Sequence, residues 1–138
     1  MQAFQILEHP ADIGFRAWGR TQGELFENSA LALFSLSCEL ATVQESESRR
    51  VELTASDLES LLYAWLAELL AMAEGERLMF RRAAVSLVDA GRIHATVYGE
   101  PLDRSRHHSG THIKAVTFHQ LYVKETPAGW SAQVFLDL

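Results

Sequence analysis

Residues 56–75 read SDLESLLYAWLAELLAMAEG. Leu58, Leu61, Leu62, Trp65, Leu66, Leu69 and Met72 recur at steps of three and four, the spacing that lines side chains along one face of a helix. The pattern predicts a helix from about Ser56 to Glu74 with a wide buried face, opened by a Ser56/Glu59 capping box and stopped by Gly75. Upstream, Thr21 to Ser37 repeats the design, with a Thr21/Glu24 capping box and a stripe of Leu25, Phe26, Ser29, Leu33 and Phe34. Elsewhere the period drops to two. Ile13, Phe15 and Ala17 alternate with Gly14, Arg16 and Trp18. Arg49–Thr54 is a short strand leading into the second helix. Met79–Val88 and Arg92–Tyr98 flank a hairpin turn at Asp89-Ala90-Gly91, and Ile113–Lys124 is a long strand candidate. After the turn Thr126-Pro127-Ala128-Gly129, residues Trp130, Ala132, Val134, Leu136 and Leu138 share one face, with Ser131, Gln133, Phe135 and Asp137 on the other. Two helices and six or seven strands predict an α+β fold, the helices packed on a mixed, largely antiparallel sheet.

The chain has 138 residues, 48% of them apolar and 22% charged, which suits one domain over 1–138 with a real core. The polar stretch Ala41–Arg50 is a loop inside that domain. Twelve basic against eighteen acidic residues give a net charge of −6. That balance argues against a surface built to grip phosphate backbones, so direct high-affinity nucleic-acid binding is not expected. Cys38 is the sole cysteine, which excludes an intrachain disulfide, fits a reducing compartment and reads as a packing thiol. The N-terminus lacks the basic start and apolar run of a signal peptide, and no window is long and greasy enough for a membrane helix, so a cytoplasmic protein is expected.

No phosphate-binding loop, dinucleotide fingerprint or nucleophile elbow is present. His107, His108 and His112 have a spacing that would suit a metal on a helix, but Gly99, Pro101 and Gly110 make their segment a loop, where that spacing has no geometric meaning. His119 reads as a hydrogen-bonded residue inside a strand. The carboxylates are placed more tellingly. Asp12 directly precedes a strand, Asp137 closes one, and the α-carboxylate of Leu138 follows. If the first and last strands lie side by side, three anionic groups meet. Their repulsion then calls for a cation, and hard oxygen donors favour calcium, magnesium or manganese over zinc. Otherwise Asp12 is a turn residue and Asp137 a solvated end.

The same residues carry a family resemblance. EHPADIGFRAWG (8–19), ELFENSALALFSL (24–36), GEPLDRSRHHSGTHIKAVTFHQL (99–121) and GWSAQVFLDL (129–138) resemble the archease family over essentially the full length. The combination is specific: A-D-I near the start, a K-A-V-T-F-H strand, and an end in aspartate plus one aliphatic residue. Pro10 stands where many members carry threonine, so a hydroxyl there is lost. The resemblance implies a double-split β-α-β fold and an activator of RtcB-type RNA ligases, promoting guanylylation and multiple turnover in tRNA splicing and RNA repair, with no catalysis of its own. It implies Asp12 and Asp137 as ligands of a divalent metal ion, assisted by the Leu138 carboxylate. It implies a role in activity for Lys114. Arg104, Arg106 and His107 nearby would extend a small basic rim beside the acidic cluster, with His107 joining Lys114 among the residues expected to serve the partner or the activity. Two other classes stay open: a general protein chaperone or interaction module, and a metal-dependent hydrolase using Asp12 and Asp137.

Overall fold

The computed structural model describes residues 2–8, 12–107 and 110–138. In chain order the elements are β1 (Phe4–Glu8), β2 (Ile13–Gly19), α1 (Gln22–Ser37), a 3-10 turn at Leu40–Thr42, β3 (Glu47–Thr54), α2 (Leu58–Glu76), β4 (Leu78–Val88), β5 (Arg92–Pro101), β6 (Ala115–Val116), β7 (Tyr122–Thr126) and β8 (Gly129–Asp137). The expected α+β class holds, and the helices pack on antiparallel sheets. In place of one mixed sheet there are two. The first runs β1-β2-β8-β6 with β7 also on β8, the second β3-β5-β4, and every pairing among the described residues is antiparallel. Buried side chains from both helices and both sheets form one cluster.

Helix α2 presents Leu61, Leu62, Trp65, Leu66 and Leu69 to that cluster. Trp65 is wholly buried, and its indole N–H donates to the Phe26 carbonyl of α1 at 3.0 Å, so burial leaves no orphan donor. The N-cap of α1 is Thr21, whose hydroxyl accepts from the Glu24 N–H at 3.1 Å. The Glu24 carboxylate accepts from Arg20 N–H, one residue before the cap. The cap of α2 differs from the expected Ser56/Glu59 box. Asp57 Oδ1 accepts from Ser60 N–H at 2.7 Å, because a carboxylate is a stronger acceptor for the first-turn donors than the neighbouring hydroxyl. Nor does Gly75 stop the helix: it lies inside, and Arg77 closes α2 in a left-handed conformation (φ 54°).

The other departures from the sequence reading lie in the strands. Phe4–Glu8 adds a strand before the first one read, and β5 runs on to Pro101. The 113–124 stretch is not one strand. Val116 pairs with Leu136 and Tyr122 with Gln133, so five residues, Thr117–Leu121, stand opposite only Val134 and Phe135. The excess is extruded as a turn. Thr117 donates twice to the Phe135 carbonyl, and Gln133 Nε2 donates to the carbonyl of Gln120, itself left-handed at φ 51°. The turn exposes Phe118, stacked on Tyr63 of α2 with ring centroids 4.1 Å apart. His119 therefore sits on this exposed turn rather than in a strand. The turn at 126–129 is as read, with Gly129 at φ 136°.

Candidate metal centre and the loop beside it

β8 is the central strand of its sheet, covered on both faces from Ser131 to Leu136, so its second face is not solvated as the alternation suggested. Ser131, Gln133 and Phe135 are all buried, and Arg16 Nε donates to Gln133 Oε1 across the strand pair. Asp137 is the first exposed residue after that covered run. On one flank β2 pairs antiparallel with β8, ending at Ile13↔Leu136. Continuing that register by one residue sets Asp12 opposite Asp137. Ile13 and Leu136 point into the core, so the next pair belongs to the opposite face. On the other flank Ala115 pairs with Asp137, and the Lys114 N–H donates to the Asp137 carbonyl at 2.9 Å. Asp12, Asp137, Leu138 and Lys114 thus gather at one end of β8, from the beginning, the end and the 99–121 motif of the chain.

Asp12 is half-buried; Asp137, Leu138 and Lys114 are exposed. Among the described residues neither aspartate side chain has an ion pair or hydrogen bond, and the Lys114 ammonium pairs with neither. Two like charges on directly opposed strand positions are unfavourable, and nothing described here offsets them. Among the described residues no three His, Cys, Asp or Glu side chains converge at metal-binding distance. The side chains gathered at this tip that could hold an ion are two carboxylates, hard oxygen donors of the kind that suits calcium, magnesium or manganese.

The histidines are arranged otherwise. His107 is buried rather than on a basic rim, and both ring nitrogens are engaged. Nδ1 accepts from the Asp103 N–H at 2.9 Å, which leaves Nε2 to donate to Glu100 Oε2, also at 2.9 Å. His112 is exposed, and His108 lies outside the described residues, as do His9, Pro10 and Ala11 of the first motif. The hub of this region is Glu100, which the sequence reading passed over. Its carboxylate also accepts from both terminal nitrogens of Arg106, at 2.6 and 3.0 Å, and from the Gln44 N–H at 2.7 Å. Arg106 first, then these other donors, pull its pKa down to about 2 despite burial. The only signal in the sequence was a glutamate closing a strand before a basic loop.

The loop after β5 is tied down at its start and again at Gly110 and Thr111. Leu102 N–H donates to Arg77, while Gly110 and Thr111 donate to the last carbonyls of α1, Ser37 and Leu36. A Cβ on Gly110 would stand 2.2 Å from the Leu36 oxygen, so only glycine permits this approach. Cys38, the C-cap of α1, is buried and free, and burial raises its thiol pKa, in keeping with a packing thiol. No helix among the described residues is long and apolar enough to cross a membrane.

Comparison with known proteins bears on this geometry. The model of the archease protein family (MTH1598/TM1083) matches residues 4–138. The protein archease of Methanosarcina acetivorans is 42% identical over 98% of this chain and 95% of its own. That of Pyrococcus abyssi is 39% identical over the full length of both. Among solved structures, Methanobacterium thermoautotrophicum protein 1598 superposes with a TM-score of 0.84 at 36% identity over the whole of both chains. A Thermotoga maritima archease, described as a possible chaperone, gives 0.67 at 18% identity over 96% of this chain and 94% of that one, a likeness of fold.

Proposed function

The chain belongs to the archease family, and from that premise we propose that it is an accessory activator of an RtcB-type RNA ligase, binding a divalent ion through Asp12 and Asp137. The observation that supports the reading is strand register: β2 pairs with β8 as far as Ile13↔Leu136, one further step of that register would set the two aspartates opposite one another, and no cation among the described residues pairs with either. A calcium, manganese or magnesium ion would relieve that repulsion. Two side-chain carboxylates do not fill the six or so positions such ions take. The remainder falls to water or to groups of the ligase, which suits an ion shared with a partner better than one locked in a cage. When bound, the ion supplies neutralisation of charge on a nucleotidyl group being transferred. Lys114, free and exposed on the other flank of β8, offers a cation to an acidic or phosphate group across the interface. His107 acts in this scheme by holding the loop in place. The ligase handles the RNA in tRNA splicing or repair, consistent with the net charge of −6 here, and this protein turns over no substrate itself. The setting is the cytoplasm.

The test is ligase guanylylation under single- and multiple-turnover conditions across a manganese titration, with wild-type protein and with Asp12→Ala and Asp137→Ala. Stimulation is expected with wild type and none with either variant, both of which stay folded. Full stimulation by both variants rejects the proposal.

A further inference from the structure

The end of α2 and the loop after β5 border an open cleft of about 580 Å³, with Arg77, Leu102, Asp103, Arg104 and Arg106 in its lining. We propose that this cleft binds a phosphate monoester between the guanidinium groups of Arg77 and Arg104. Arg106 is already committed, bidentate to Glu100 and paired at 3.2 Å with Asp103. Those ion pairs engage both acids of the cleft, Glu100 and Asp103. Arg77 and Arg104 are exposed, and among the described residues neither side chain has a partner. Three arginines against two carboxylates leave the cleft positive within a chain of net charge −6.

The backbone around these arginines is fixed. Leu102 N–H donates to the Arg77 carbonyl at 2.8 Å, and the Asp103 carbonyl accepts from the N–H groups of Arg106 and His107 at 3.0 and 2.7 Å. Asp103 Oδ1 caps the same turn through Ser105 N–H. Arg77 itself is the telling residue. It holds a left-handed conformation that glycine adopts at no steric cost, while Gly75, two residues earlier, sits in open space within the helix. A basic residue at a helix end is commonly kept to hydrogen-bond the last carbonyls, and the Arg77 guanidinium makes no such bond. A side chain carried in this conformation with no partner among the described residues is available to a ligand outside.

Guanidinium forks match the oxygens of a phosphate, and two of them favour a dianion over a carboxylate. An adjoining recess of about 270 Å³ shares Leu102 and Arg104 and is lined by Leu78, Met79 and Ile113, room for an apolar ring next to the anion. Neither Asp12 nor Asp137 lines the cleft or the recess, so this site stands or falls independently of the proposed activator role.

The experiment is an amide NMR titration of the full chain with inorganic phosphate and with adenosine 5′-monophosphate, repeated on Arg77→Gly, Arg104→Ala and Asp12→Ala. Arg77→Gly removes the left-handed strain along with the charge, so its melting temperature stays level or rises and a loss of binding is not a loss of fold. Saturable shifts are expected at Arg77 and at 102–106. Each arginine variant should weaken them about tenfold, Asp12→Ala should leave them unchanged, and added salt should weaken them in all. Tighter binding of the nucleotide assigns its ring to the recess; equal binding assigns recognition to the phosphate alone. No saturable shift at millimolar ligand, or an affinity unchanged in either arginine variant, overturns the site.

Discussion

Two charged regions of this molecule obey opposite rules. Around Glu100 a buried carboxylate receives two bonds from Arg106 and one each from Gln44 and His107. Just past the last β2–β8 pair, Ile13↔Leu136, stand Asp12 and Asp137, and no described cation pairs with either. A buried charge survives folding only when its hydrogen-bonding capacity is met, so the first region belongs to stability. The second has no such partners among the described residues, and it is there that the proposed function puts an ion. The sharpest way to break the comparison is Asp137→Ala or Asp12→Ala. Wild-type protein should melt higher in manganese than in its absence, by the linkage of binding to folding. Either variant should lose that increment and all ligase stimulation, while its metal-free melting temperature stays level or rises slightly. A metal-free melting temperature that falls by several degrees would move the aspartates into the structural class.

The converse substitution is Glu100→Gln. It strips the charge that holds Arg106, His107 and the Gln44 N–H together, and should cost about 2–3 kcal/mol, below the figure for a fully buried pair because the Arg106 side chain is 41% exposed. Manganese binding should persist, since this network lies off the β8 end. The same residue gives a pH signature. Its folded pKa is about 2 against an ordinary 4.5, so the folded state binds its proton less readily than the unfolded one. The stability this supplies is complete above the ordinary value and drains away as pH falls from there toward about 2. Denaturant unfolding in that window should show a steeper acid loss for wild type than for Glu100→Gln; parallel curves would show that the ion network carries no stability.

The contrast between the two regions also explains what was legible in the sequence. Both helices were, because their apolar stripes are periodic over many residues. Asp12 and Asp137 stood out by their places at strand ends, but that they are neighbours came only with the family motifs, since nothing local says that residues so far apart will share a strand register. The Glu100 hub was hidden in GEPLDRSRHHSGTH, whose glycines, proline and charges all read as solvated loop, although His107 and Glu100 are buried in it. Burial of such a segment depends on donors and acceptors elsewhere, at Gln44, Arg77 and the end of α1. The 113–124 strand failed for a related reason. Its alternation is sound, but β8 offers too few partners, and a partner's register is invisible in one strand's own residues. Arg77 replaced Gly75 as the helix end because propensity marks where a chain turns easily, not where packing makes it turn.

A third aspartate sharpens the comparison at smaller scale. Asp57 is on the surface like Asp137, yet its carboxylate is occupied, accepting from the Ser60 N–H at 2.7 Å in the first turn of α2. That bond holds its pKa below the usual range. By the sign argument used for Glu100, its contribution is present above the ordinary aspartate value and lost in stronger acid. Asp57→Ala should therefore lower the melting temperature modestly at neutral pH, while Asp137→Ala should not, although both remove one negative charge from an acidic protein. Ser56→Ala should leave the melting temperature unchanged, because the Ser56 hydroxyl touches only Asp57, at 3.4 Å, and caps nothing. If Ser56→Ala were the costlier of the two, the capping box read from the sequence would be restored, and Asp57 would join the carboxylates whose role lies outside the fold.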